Sequence, residues 1–178
     1  MEINKRKALF LDRDGVINKE LPNDYVKSCR EFIFLPGTFK ALSILDKHFD
    51  RIFIVTNQRG VGRGIMSRRT LDDIHAWMIR EITDKKGRID KIYVCTDVDS
   101  SNMNRKPNIG MALQAKKDYP EVIFSESIMV GNSLSDMKFG KNAGMCTVLI
   151  GNKYNEADKD LSLIDFCFDN LISFARQL

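Results

Sequence analysis

The stretch LFLDRDGVIN, residues 9–18, decides how the rest of the chain is read. An apolar run ends on two acids, Asp12 and Asp14, with one residue between them. Carboxylates are rarely buried without a partner. A strand that ends on a pair of them therefore marks either a solvated turn or a place where something positive binds. Two acids so spaced can take a divalent cation, which prefers hard oxygen ligands. They can also divide labour, one as nucleophile and one as general acid or base. A capped turn with solvated acids is the alternative that the motif alone leaves open. The calcium-loop pattern D-x-[DN]-x-[DN]-G is not met, because Val16 stands where a third acid or amide is required.

Four more short apolar runs accompany this one: RIFIVT (51–56), KIYVC (91–95), SIMVG (127–131) and CTVLI (146–150), beside KALFLD (7–12). Most are near-continuous aliphatic and β-branched residues, the pattern of strands buried on both faces of a parallel sheet. A weaker run, DFCF (165–168), fits an edge strand. Helical spacing lies between the runs. Residues 37–49 place Phe39, Leu42, Leu45 and Phe49 on one face. Residues 67–87 offer Ser67 as cap, Leu71, Ile74, Trp77, Met78 and Ile82 as the apolar face, and Gly87 as the stop. Helices are also expected over 108–119, 133–144 and 169–178, the last capped by Asp169 or Asn170. Strands alternating with helices predict an α/β fold, a doubly wound, mostly parallel sheet with helices on both faces. No repeat or linker interrupts it, so residues 1–178 are expected to form one domain. The mixed segment 15–36 is expected to fold over the strand ends.

Composition narrows the function classes. The net charge is +4, from 28 Lys+Arg against 24 Asp+Glu. That suits an anionic small molecule and does not demand nucleic acid. The N-terminal residues show no signal-peptide pattern, and no apolar run approaches a membrane span, so a cytoplasmic protein is expected. The four cysteines, Cys29, Cys95, Cys146 and Cys167, form no CxxC pair and read as free thiols.

Polar clusters gather at the strand ends, where ligands bind in such sheets. Thr56 and Asn57 follow IFIV and can donate to phosphate oxygens, or simply start a turn. GVGRG (60–64) satisfies neither the dinucleotide nor the P-loop pattern. It reads as a flexible loop carrying Arg59 and Arg63, whose guanidiniums suit phosphate. Pro107 fits the first turn of the next helix, which would put Arg105 and Lys106 near an anion-favouring N-terminus. Asn132 and Asp136, four apart, would share a helix face if a helix starts there, and Asp136 also suits a first turn for its own sake. His48 and His75 fall in helical patterns and read as structural.

Taken in order, FLDRDG, IVTNQ, RKP and GNSLSD resemble the four motifs of the haloacid dehalogenase-like phosphatases, over residues of about 7 to 150. LFLDRDGVIN, YV (25–26), FLPG (34–37), VTNQRGVGRG and RKPNIGM look like the histidinol-phosphate and heptose-bisphosphate phosphatase branch. The resemblance implies magnesium as cofactor and a phosphorylated sugar as substrate, with the 7-phosphate of a heptose 1,7-bisphosphate as the leading case. Asp12 matches the nucleophile and Asp14 the general acid/base, with its backbone carbonyl on the metal. Asn132 and Asp136 complete the implied metal set. Lys106 matches the lysine that steadies nucleophile and phosphoryl group. Thr56, Asn57, Gln58 and Asn18 match phosphate or substrate contacts, and Arg105 a substrate arginine, beside Arg59 and Arg63.

Two departures stand out. Asn132 replaces an acid of the motif. The branch's zinc loop is also reduced to CTDVDSSNMNRKP with only Cys95, so no zinc is expected. Neither gap between motifs has room for a cap domain. A monomer is expected, acting on neither membrane nor nucleic acid. The other readings are a histidinol-phosphate phosphatase, a polynucleotide 3′-phosphatase and a non-catalytic phosphate- or metal-binding module.

Overall fold

The first apolar run forms β1 (Arg6–Leu11), and its side chains divide between two cores. Leu9 and Leu11 enter one, Ala8 and Phe10 the other, and all four are fully buried. A strand covered on both faces requires this alternation. The computed structural model describes residues 6–152 and 160–178. Five more strands join β1: β2 (Phe49–Asn57), β3 (Lys91–Cys95), β4 (Ile128–Gly131), β5 (Cys146–Ile150) and β6 (Phe166–Phe168). Their order is β3-β2-β1-β4-β5-β6, and every pairing is parallel.

The helices are α1 (Thr38–Leu45), α2 (Arg59–Gly62), α3 (Arg68–Asp84), α4 (Gly110–Asp118), α5 (Leu134–Ala143) and α6 (Leu171–Ala175). Leu42 of α1, Ile74 of α3 and Phe174 of α6 pack into the first core. Met111 of α4 and Phe139 of α5 pack into the second. Helices thus cover both faces, as expected. The chain winds outward from β1 to β3, then crosses back to lay β4 on the other side of β1. That reversal opens a crevice at the carboxyl ends of β1 and β4. Asp12 leaves β1 there, its amide donating to the Val130 carbonyl at 3.0 Å.

Several boundaries differ from the sequence expectation. The helix expected over 37–49 stops at Leu45, and Phe49 begins β2 opposite Arg6. Phe49 is buried in either state, so periodicity alone could not choose; strand pairing with β1 decides it. His48 therefore lies in the turn between them, not in a helix. Residues 60–64, expected as a loop, contribute to the single turn α2. The last helix is confined to α6, capped by Asn170, whose Oδ1 accepts from Ser173 N at 2.9 Å. Ser67 caps α3 as expected, accepting from Thr70 N at 3.0 Å.

The helix expected from residue 108 begins only at Gly110. Gly110 N donates to Met103 O at 2.8 Å, and a Cβ there would meet that oxygen at 2.4 Å, so the preceding loop folds back on it. Pro107, after a cis bond, stays outside the helix. Arg105 and Lys106 consequently do not sit at its N-terminus. Asn132 likewise lies outside α5, because the capping box of Ser133 and Asp136 starts that helix at Leu134. All four cysteines are free. Among the described residues no helix is long and apolar enough to cross a membrane.

Phe10 is fully buried on β1, its ring 5.2 Å from that of Phe53 and 6.3 Å from that of Phe124. Phe10→Ala should lower the unfolding free energy by about 3–5 kcal/mol, read by urea denaturation of the two proteins.

Candidate active site

Lys106 organises the crevice. Its Nζ lies 2.9 Å from Asp12 Oδ1 and 2.6 Å from Asp136 Oδ1, and donates to the Val55 carbonyl at 2.7 Å. The lysine is 4% exposed. Burial alone would drive its proton off, but the two carboxylates outweigh that and raise its pKa. Asp136 is also buried, and its Oδ2 accepts from Ser133 N at 3.0 Å and Ser133 Oγ at 2.7 Å. It is thus engaged by α5 and by Lys106. Gly131 makes this possible: a Cβ there would sit 2.2 Å from Asp136 Cβ.

Asn57 fixes the lysine from behind. Its Oδ1 accepts from Lys106 N at 3.1 Å and its Nδ2 donates to Lys106 O at 3.2 Å. Both backbone groups of Lys106 are therefore latched to the end of β2.

Asp14 has a different environment. Arg13 Nη2 donates to both its oxygens at 2.9 Å, Asn18 Nδ2 to Oδ1 at 2.8 Å and Gln58 Nε2 to Oδ2 at 2.8 Å. Gln58 Nε2 also reaches Thr56 Oγ1 at 2.8 Å. Burial pushes the Asp14 pKa up, yet Arg13 and these donors bring it below the usual range. Asp12 goes the other way. Burial, then the charge of Asp136, raise its pKa to about 7 against the pull of Lys106.

Arg13 is 1% exposed and was not singled out by the sequence. Its Nη1 donates to His75 Nε2 at 3.0 Å, and its guanidinium lies 5.8 Å from the Phe32 ring centroid. His75 accepts here, so its ring is neutral; burial, then Arg13, push its pKa down to about 3.

Asp12, Asp14, Asn57, Gln58, Lys106, Asn132 and Asp136 all line one cavity. Segment 15–36 does fold over the strand ends, adding Glu20, Leu21, Asp24, Tyr25 and Val26 to the lining. Of these five, only Tyr25 and Val26 carried a signal in the sequence. Thr56 and Asn18 sit behind the cavity, almost fully buried, holding Gln58 and Asp14. Arg59, Arg63 and Arg105 do not line it. Arg105 Nη1 donates to Asp97 O at 3.1 Å and props the loop before it.

That loop, residues 96–109, is closed by its own side chains. Asp97 accepts from Asp99 N at 2.9 Å and Asn102 Nδ2 at 2.8 Å. Asn102 Oδ1 accepts from Asn104 N at 2.8 Å, while Asn108 Nδ2 donates to Ser100 O at 3.1 Å and Asn102 O at 2.9 Å.

The donor set suits a hard cation. Asp12 gives Oδ1 to Lys106, and no described residue donates to its Oδ2. Asn132 is 8% exposed, lines the same cavity, and no described donor reaches its Oδ1. Among the described residues no three His, Cys, Asp or Glu side chains could hold a metal by themselves. A cation here must recruit amide or backbone oxygens as well, which magnesium accepts.

Comparison with known proteins finds phosphatases along nearly the whole chain. The model of the polynucleotide kinase 3 phosphatase family matches residues 7–175. A D-glycero-alpha-D-manno-heptose-1,7-bisphosphate 7-phosphatase of Mycobacterium bovis is 39% identical over 174 residues, covering 94% of this chain and 89% of that protein. A D-glycero-beta-D-manno-heptose-1,7-bisphosphate 7-phosphatase of Rhodopseudomonas palustris is 36% identical over 150 residues, covering 79% and 81%. The crystal structure of D,D-heptose 1,7-bisphosphate phosphatase from B. bronchiseptica, complexed with magnesium and phosphate, superposes with a TM-score of 0.83 at 30% identity, covering 96% of this chain and 97% of that one.

The buried His75 makes a test of the Arg13 support. A histidine with a depressed folded pKa binds its proton first in the unfolded chain. Its contribution is present above about pH 6.5 and is lost as pH falls toward about 3, at up to ~1.4 kcal/mol per pH unit. His75→Gln keeps an acceptor for Arg13 and cannot titrate. Its unfolding free energy should fall less steeply between pH 6 and pH 4 than that of the parent, as followed by denaturant titration at each pH.

Proposed function

The chain belongs to the haloacid dehalogenase-like phosphatases, and from that premise we propose that it removes the 7-phosphate of a D-glycero-D-manno-heptose 1,7-bisphosphate in a magnesium-dependent reaction through phospho-Asp12. The observation that carries the reading is the ion-paired group at the crevice. Lys106 holds one oxygen of Asp12 and leaves the other open in the cavity that Asn132 shares. The heptose bisphosphate is taken from the relatives' names. Single-domain organisation and a cytoplasmic location, expected from the sequence, belong to the same proposal.

The site's own groups fit two half-reactions. In the first, Asp12 Oδ2 attacks phosphorus, a new O–P bond forms, and the bond to the sugar oxygen breaks. Lys106 steadies Asp12 and faces the incoming charge. Asp14 delivers a proton to the leaving oxygen. Its carboxyl must part from Arg13 to do so, since that contact favours the ionised form. In the second, Asp14 takes a proton from water, which attacks phosphorus, releases inorganic phosphate and restores Asp12. The donors now around Asp14 favour the ionised form, which suits this second role. The Asp12 oxygen that does not attack, the Asn132 oxygen and the Asp14 carbonyl would hold magnesium, which when bound would supply positive charge to the phosphoryl oxygens.

A second reading has one observation in its favour, the family match across residues 7–175, and would take a 3′-phosphorylated oligonucleotide. The curated relatives include both anomers of the heptose substrate, so both belong in the test. Phosphate release from the two heptose bisphosphates, histidinol phosphate and a 3′-phosphorylated oligonucleotide should show the highest kcat/KM on one of the heptoses. Asp12→Asn should lower kcat by at least about 10⁴-fold, in keeping with loss of a nucleophile. Preference for the oligonucleotide would replace the substrate assignment, and turnover by Asp12→Asn would end the mechanism.

A further inference from the structure

A neutral amide is an awkward cation ligand. Only its oxygen can serve, and a half-turn about the last side-chain bond puts an N–H₂ in its place. Asn132 stands at this cavity with that ambiguity, so something must set the amide. Two neighbours do. Asn132 Nδ2 donates to Glu20 Oε2 at 3.0 Å. Gly15, at φ +83°, makes room on the same side: a Cβ there would lie 1.9 Å from Nδ2. With Nδ2 committed, Oδ1 is left as the atom a cation can use. Glu20 comes from the loop that crosses the strand ends, 112 residues away in sequence, and lines the catalytic cavity itself. Its carboxylate also brings a negative charge beside an amide that has none.

We propose that Glu20 is a positioning residue for the magnesium site: it fixes the Asn132 amide with its oxygen presented to the metal and lends the site the charge that the amide lacks. This rests on the metal-dependent reading above and names the regulation of that site's affinity. Two effects are separable by chemistry. Glu20→Gln keeps an acceptor for Nδ2 and removes the charge. Glu20→Ala removes both. Asn132→Asp supplies a carboxylate, which presents oxygen in either orientation and no longer needs to be set.

The test is magnesium binding to the full chain without substrate, followed by isothermal titration calorimetry, with the melting temperature of each metal-free protein as a folding control. Glu20→Ala should weaken magnesium by about 10-fold, the usual cost of losing the group that orients a ligand. Glu20→Gln should fall between it and the parent. In the Asn132→Asp background, Glu20→Ala should cost no more affinity than Glu20→Gln costs the parent, since a carboxylate ligand does not need to be set and only the loss of charge remains. Unchanged affinity in Glu20→Ala overturns the proposal while leaving the phosphatase reading intact. An equal loss in both backgrounds overturns it too, since it would show that Glu20 does not act through the amide. If the Asn132→Asp protein does not fold, the order parent, Glu20→Gln, Glu20→Ala decides alone, and any other order overturns the proposal. A parent that takes up no magnesium overturns the metal-dependent reading and this proposal with it.

Discussion

The buried ammonium of Lys106 is the contact on which the site depends. Taking an ammonium and two carboxylates out of water costs several kcal/mol per ion unless their geometry is close and their remaining valences are filled. Here they are. The lysine meets Asp12 from β1, Asp136 from α5 and the Val55 carbonyl of β2, while Asn57 latches its backbone. Three separate segments converge on one residue. Each would leave an uncompensated charge or carbonyl if it moved away, so the group fixes their relative positions as firmly as the two apolar cores do.

The two acids of the opening motif are not equivalent, and their surroundings explain why. Asp14 is ringed by donors, which favour its charge. Burial, then the second carboxylate that shares its lysine, push Asp12 toward protonation. A protonated nucleophile is a poor one. A cation beside Asp12 offsets the repulsion from Asp136 and returns it to the ionised form.

Much of this was legible in the sequence, and the failures have local causes. Near-continuous apolar runs located β1 to β5, and the weaker run DFCF located the exposed edge strand β6. The clusters after β1, β2 and β4 pointed to the correct edge of the sheet. Phe49 was misread because an apolar residue at helical spacing is equally at home opening a strand. The start of α4 was misread because the fold-back of Met103 onto Gly110 is a loop geometry that periodicity does not register. Arg13 went unnoticed although it is almost fully buried. Its partner His75 is 62 residues away, and nothing between two acids in DRD announces a buried guanidinium. Asn57 was expected to touch phosphate, whereas its amide is engaged by the Lys106 backbone; only the structure brings β2 and that loop together.

The loop before Lys106 has a consequence for how such a chain can diversify. Asp97, Asp99, Asn102 and Asn108 bind backbone and side chains within the loop itself, whereas Lys106 is secured independently by Asn57. Insertions or deletions in residues 96–104 would therefore leave the ammonium against its carboxylates, because Asn57 and not the loop secures Lys106. The loop can thus change in length while the lysine keeps its place, with Asn57 as the hinge pin between them.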